Sequence, residues 1–302
     1  LYSNPNSTFL SKMMIGVLDQ ARKSDTQVVV VTCEEGPDAE GTVSGLIEDG
    51  IDGVVLAPPL CDSLPLFKIL KDNEVPAVTV GSRHRDEQIS AVFMDDKAAS
   101  ATITRHLVSL GHRRIGFIIG EAGQTASLLR LDGFGEAMGE AGIPVDESLI
   151  IQGEFSYRSG FEATEQMLEM SDPPTAILAS NDDMAAGAIS AARQFRIQVP
   201  EELSVCGFDD SLMASQFWPP ITTIHQPIGE MTQAAIEHLE NNIRRDRSGA
   251  PFRHRRIELD FTLVKRESDA APKGLQSIQG DRSTASVARK DQRGSHRTPP
   301  VY

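Results

Sequence analysis

From about residue 7 to residue 265 the chain alternates short Val- and Ile-rich runs with longer stretches whose apolar residues recur at helical spacing. Parallel strands need a crossover long enough to return the chain to the same edge, and an amphipathic helix supplies it, so this alternation predicts βα units and a parallel sheet. The expected strands are 28–31, 53–56, 77–80, 91–93, 115–119, 175–178 and 203–206; their nearly continuous apolar character suits burial on both faces. Leu1 and Tyr2 read as the end of a strand whose beginning is missing. Between the strands, Phe9, Met13, Val17 and Ala21 form one helical stripe, and Ile228, Met231, Ala235, Leu239 and Ile243 another.

At 302 residues and 40% hydrophobic, the chain can bury two cores, and two βα halves are expected. No apolar run is long enough to span a bilayer, and the first six residues lack the basic and apolar regions of a secretory signal. Cys33, Cys61 and Cys206 are odd in number and far apart, which reads as reduced thiols in a cytoplasmic protein. A net charge of −14 repels a polyanion, so contact with nucleic acid is expected from a segment other than these residues. From Ser268 to Tyr302 no apolar period survives, and 268–302 is expected to be a disordered tail.

Enzymatic signatures fail one by one. Gly133, Gly135 and Gly139 imitate a dinucleotide fingerprint, but the third glycine is one position late and the run lies inside a helical pattern, where its amides cannot reach a pyrophosphate. No phosphate-cradling loop, nucleophile elbow or metal-ligand spacing occurs, and the seven histidines are dispersed. No catalytic residue, metal or cofactor is therefore expected.

What stands at the predicted strand ends is polar and aromatic. A carboxylate accepts hydroxyl hydrogen bonds, a guanidinium donates several in a fixed fork, an amide does both, and an aromatic ring covers the apolar face of a sugar. Asp209, Arg130, Asn181 and Phe155 supply one of each.

Several segments, in order, carry a family resemblance. They are Asn4-Pro5-Asn6, Gly50-Ile51-Asp52-Gly53-Val54-Val55, Leu110-Gly111-His112-Arg113-Arg114-Ile115-Gly116 and Arg130-Leu131-Asp132-Gly133-Phe134, followed by Ala179-Ser180-Asn181-Asp182-Asp183-Met184-Ala185, Val205-Cys206-Gly207-Phe208-Asp209-Asp210 and Thr222-Thr223-Ile224-His225-Gln226-Pro227. With them the chain resembles, from Leu1 to about Ser268, the effector-binding core of LacI/GalR-type transcriptional regulators, without their helix-turn-helix headpiece. The resemblance implies a periplasmic-binding-protein-like type I fold: two Rossmann-like α/β subdomains with parallel sheets, joined by three crossovers. It divides the chain into 1–93 plus 226–248 and 94–225 plus 249–267. It also implies a homodimer, a small sugar-like effector in the cleft, and operator DNA bound through the headpiece; family grounds favour a repressor.

Carried over by position, the resemblance assigns ligand contacts to Asp209, Arg130, Asn181 and Phe155. It adds Phe9 and Leu10 at the first strand-to-helix turn, with Ala57, Ser82, Asp95, Gln124 and Ala126 at variable lining positions. Gly81 stands where several relatives keep an acid and Ala126 where some keep a hydroxyl, so hydrogen bonding to the effector must differ from theirs.

Each assignment has a plainer rival. Asp209 could cap its turn, Arg130 could pair with Asp132 or Glu136, Asn181 could be a helix N-cap, and Phe155 a hydrophobic staple. Trp218 is expected at a crossover or dimer surface rather than on a sugar, and Arg83-His84-Arg85 as a solvated loop. A periplasmic sugar-binding protein of an uptake system is the alternative function, and a sugar-modifying enzyme a third.

Overall fold

The computed structural model describes residues 1–3, 7–24, 26–82 and 86–273; the Asn4-Pro5-Asn6 and Arg83-His84-Arg85 motifs and residues 274–302 lie outside them. The first lobe opens with α1 (Ser7–Ala21) and α2 (Pro37–Glu48), and continues through β1 (Val54–Leu56), α3 (Leu64–Asp72), β2 (Ala77–Val80) and β3 (Ser90–Phe93). The chain then crosses to a second lobe built from α4 (Asp96–Leu110), β4 (Ile115–Ile119), α5 (Thr125–Glu140), β5 (Ile150–Gln152), α6 (Tyr157–Leu168), β6 (Ala176–Ala179), α7 (Asp182–Gln194), β7 (Ser204–Cys206), α8 (Leu212–Gln216) and β8 (Thr223–His225). It returns for α9 (Ile228–Arg247) and β9 (Arg256–Glu258), and crosses a third time into β10 (Thr262–Val264).

Each lobe is centred on a parallel four-stranded sheet, ordered β1-β2-β3-β9 in the first and β5-β4-β6-β7 in the second, while β8 and β10 pair antiparallel between crossings. The near-continuous apolar strands are buried as expected: every residue of β2, β3, β6 and β7 is buried. Helices flank both sheets, and the two predicted helical stripes meet, because α1 and α9 pack side by side with Met13, Met231 and Ala235 buried.

The dinucleotide look-alike has a packing explanation. A Cβ on Gly133 would lie 2.1 Å from the Lys97 carbonyl oxygen, so glycine is what lets α5 lie against α4.

Three expectations need correction. Residues 28–31 form no buried strand: Tyr2 and Thr32 make an isolated bridge, and Val29 and Val30 are 67% and 44% exposed at the sheet edge. The segment 249–267 does not belong wholly to the second lobe, since β9 pairs with β3 in the register Ala91–Arg256 to Phe93–Glu258 and the third crossing falls after Glu258. A strand of three residues, Arg256-Ile257-Glu258, is too short to show a period, which is why its sequence does not announce it. Nor does order end at Ser268: its hydroxyl, fully buried, donates to Val205 O at 2.5 Å and accepts from Thr222 N at 2.9 Å. Asp269 then meets His106 at 2.7 Å with both side chains under a tenth exposed.

Candidate ligand cleft

Both parallel sheets point their carboxyl ends toward the space between the lobes, where such sheets place ligands. A cavity there is lined from the first lobe by Phe9, Pro58 and Gly81, at the crossings by Met94, Asp96 and Gln226, and from the second lobe by Gln124, Ala126, Arg130, Phe155, Asn181 and Asp209. Seven of the eleven residues expected at the site thus converge on one cavity.

The other four stand elsewhere. Ala57 is fully buried and Leu10 packs against the first-lobe core. Ser82 is buried and donates to Asp62. Asp95 caps α4, accepting from Ala98 N at 3.0 Å, and its neighbour Asp96 turns into the cavity instead. One residue of helical rotation at a capped helix start separates the two aspartates, and sequence periodicity does not resolve it. Asp96, Gln226, Pro58 and Met94 were not among the expected site residues; Gln226 lay within a quoted motif, and Asp96 beside a chosen residue.

Arg130 organises the second-lobe wall. It is 5% exposed, donates from Nε to Asp96 Oδ1 at 2.9 Å and from Nη1 to Ser180 O at 2.6 Å, and lies 3.9 Å from Asp209 Oδ1. Its guanidinium carbon sits 3.8 Å from the ring centroid of Phe208 and 5.9 Å from that of Phe155, a cation held between aromatic faces. The rival partner Glu136 is taken by Lys97 and Arg105.

Asp209 and Asp210 both adopt left-handed backbone, with φ of 114° and 51°, a strained pair where β7 runs out. The Asp209 carboxylate accepts from Gln226 Nε2. Burial pushes its pKa up, opposed by Arg130 and Lys12. Behind it, Asp182 is fully buried and accepts from Ser211 N at 2.7 Å and Thr223 Oγ1 at 2.6 Å. Burial and then the nearby Asp209 charge push the Asp182 pKa up strongly, so the two carboxyls are not readily ionised together.

Phe155, also left-handed at φ 54°, lays its ring against Gly120; a Cβ there would lie 2.0 Å from Cζ. Asn181 serves as both cap and clamp, accepting from Met184 N at 2.9 Å and donating from Nδ2 to the Phe155 carbonyl at 2.8 Å. Trp218 stays out of the cleft at 70% exposed.

Three hydrogen bonds close the lobes on each other. Lys12 Nζ donates to the Asp209 and Asp210 carbonyls at 2.7 and 2.8 Å, and Thr125 N donates to Asp62 Oδ2 at 3.2 Å. The cavity between them is small, ≈ 50 Å³, and is not fully enclosed. Among the described residues no cluster of three His, Cys, Asp or Glu could hold a metal ion, and no helix is long and apolar enough to cross a membrane.

Fold and cleft together define a two-lobed ligand-sensing α/β protein. Residues 104–268 match the periplasmic binding protein-like domain. The chain is 36% identical over 232 residues to the HTH-type transcriptional regulator DegA of Bacillus subtilis, covering 76% of this chain and 68% of that protein. A transcriptional regulator CelR in complex with cellobiose superposes with a TM-score of 0.81 at 31% identity, covering 88% of this chain and 82% of the other. A LacI family transcriptional regulator from Enterococcus faecium with bound ribose gives 0.78 at 25% identity, covering 89% and 97%. The chain belongs to the LacI family of transcriptional regulators, a relationship that favours regulation over solute uptake.

Proposed function

We propose that this chain senses a neutral, hydroxyl-rich effector, a sugar or sugar derivative, between its lobes, and that it does so in the cytoplasm as part of a dimeric repressor without transforming the effector. The observation that carries the reading is the convergence of Asp96, Arg130, Asn181, Gln226 and Asp209 on one cavity flanked by Phe9 and Phe155: acceptors, donors and two rings at strand ends. Such a wall binds hydroxyls in pairs and covers the apolar face of a ring. The relatives bound to cellobiose and ribose support the same ligand class.

Effector binding would act through the angle between the lobes. A ligand shifts that angle only by binding one closure more tightly than another, and Lys12, Asp62 and Thr125 define the closed end of the equilibrium. Operator affinity would follow from the spacing of two first lobes in a dimer.

Thermal denaturation against monosaccharides, disaccharides, sugar acids and purines tests the reading, because a ligand bound only by the native state raises the melting temperature by mass action. We expect a shift with at least one neutral sugar, abolished in Asp209→Ala. No shift with any sugar, or an unchanged shift in the variant, would refute it.

A further inference from the structure

The chain carries a net charge of −14, yet the stretch from Arg244 to Arg256 holds six arginines and a histidine against a single aspartate. This inversion has a definite place in the fold. α9 leaves the cleft beside Gln226 and runs twenty residues, about 30 Å, to the far end of the first lobe. There the chain turns and enters β9, whose first residues lie beside the start of β3. The turn is held rigidly: Asn242 donates to Arg253 O at 3.1 Å and accepts from Arg253 N at 3.0 Å, Arg245 Nε donates to Pro251 O at 3.1 Å, and Arg255 N donates to Ser90 Oγ at 3.2 Å. Ser24, just past the end of α1, bonds Glu240 at 2.6 Å, which sets Arg22 and Lys23 near the last turns of α9.

Arginines in the last helical turn stabilise the carbonyl end of α9, and that accounts for Arg244, Arg245 and Arg247. It does not account for Arg253 and Arg255, which are exposed and lie outside the helix. Arg247 pairs with Asp52 at 2.6 Å and Arg244 approaches Glu240 at 3.8 Å; among the described residues no carboxylate pairs with Arg245, Arg253 or Arg255. Exposed like charges set on a rigid turn repel one another, and an anion lying across them relieves that repulsion.

We propose that this arginine edge, Arg244, Arg245, Arg253 and Arg255 with Arg247 at its margin, is a binding surface for the phosphodiester backbone of duplex DNA. It goes beyond the effector reading in giving the sensing body its own contact with nucleic acid, independent of any separate DNA-reading segment. The guanidiniums are distributed over a helix end, a turn and a strand start, and those of Arg244, Arg253 and Arg255 stand in solvent while that of half-buried Arg245 also holds Pro251 O. That arrangement suits a line of phosphates rather than one phosphorylated side chain, which calls for donors converging in a pocket.

The test is fluorescence anisotropy of a labelled duplex of about 30 base pairs and arbitrary sequence, titrated with the 302-residue chain. Binding is expected at 50 mM salt, with a loss of about 100-fold in affinity at 200 mM, the slope for about four neutralised phosphates. Arg244→Glu/Arg253→Glu/Arg255→Glu should lose at least about tenfold at 50 mM, with its melting temperature and any sugar-induced shift unchanged. The milder Arg253→Gln/Arg255→Gln serves if the triple variant does not fold. Lys97→Glu/Arg158→Glu, on the second lobe, should bind as wild type. No wild-type binding at 50 mM, an equal loss in the second-lobe variant, unimpaired binding by the edge variants, or a singly phosphorylated peptide competing as well per phosphate as the duplex would each overturn the proposal. Failure of the sugar screen would leave this result untouched, and the reverse holds too.

Discussion

The ammonium of Lys12, on the first helix of one lobe, lies 2.7 Å from the backbone carbonyl oxygen of Asp209 at a strand end of the other. A second bond to the Asp210 carbonyl at 2.8 Å makes the contact a fork. It grips a backbone pair already in left-handed conformation, so it fixes both the closure of the lobes and the aim of the Asp209 carboxylate.

Replacing Lys12 with Met keeps the aliphatic stem and removes the fork. Hydrogen bonds to a charged group contribute about 1.5–3 kcal/mol, so the closed form should lose about tenfold or more in population. Small-angle scattering of the variant should give a larger radius of gyration than wild type; an unchanged radius would mean that the fork does not hold the lobes.

Arg130 and Asp96 form a buried pair, 6% and 3% exposed at their side chains. Arg130→Ala removes the guanidinium from a buried carboxylate and should cost about 3–5 kcal/mol in urea denaturation. Asp96→Asn, which keeps an acceptor for the guanidinium, should cost less. Equal losses would show that the charge of Asp96 matters more than its hydrogen bond.

Asp182 links stability to pH. Its pKa is higher in the folded chain than the unfolded value near ~4, so the native state binds the proton more tightly. The stabilisation from that proton is fully present below the unfolded value and is lost as pH rises through the raised native value. Asp182→Asn should therefore flatten the stability profile above about pH 4 and gain on wild type as pH increases. A parallel pair of stability profiles would count against the linkage.

Gly120→Ala places a methyl group where the Phe155 ring now lies. The ring must swing away, at a cost of about 1–3 kcal/mol for the overpacked wall. Effector affinity should fall by at least about tenfold in calorimetry while Arg130 keeps its ion pair. Unchanged affinity would remove Phe155 from the list of contacts.

The sequence exposed the layers of this fold because strands buried on both faces cannot hide their Val and Ile runs, and because α1 and α9 carry clean stripes. Through the resemblance it singled out Arg130, Phe155, Asn181 and Asp209, which line one cavity. What it concealed has physical causes. Asp95 and Asp96 differ by one step of helical rotation, decided by which of them caps α4. β9 is held by backbone bonds to β3 and only Ile257 of its three side chains packs against the core, too short a run to mark a hydrophobic period. Residues 28–31 have the composition of a core strand and an exposed edge position, and only their neighbours in space reveal that.

Asp96 opens the helix that follows the first passage between lobes, and it holds the guanidinium that lines the cavity. Grip and pivot are therefore joined by a single ion pair. Whatever tugs on Arg130 also pulls on the hinge, so occupancy can be read out as rotation without a relay of intermediate residues.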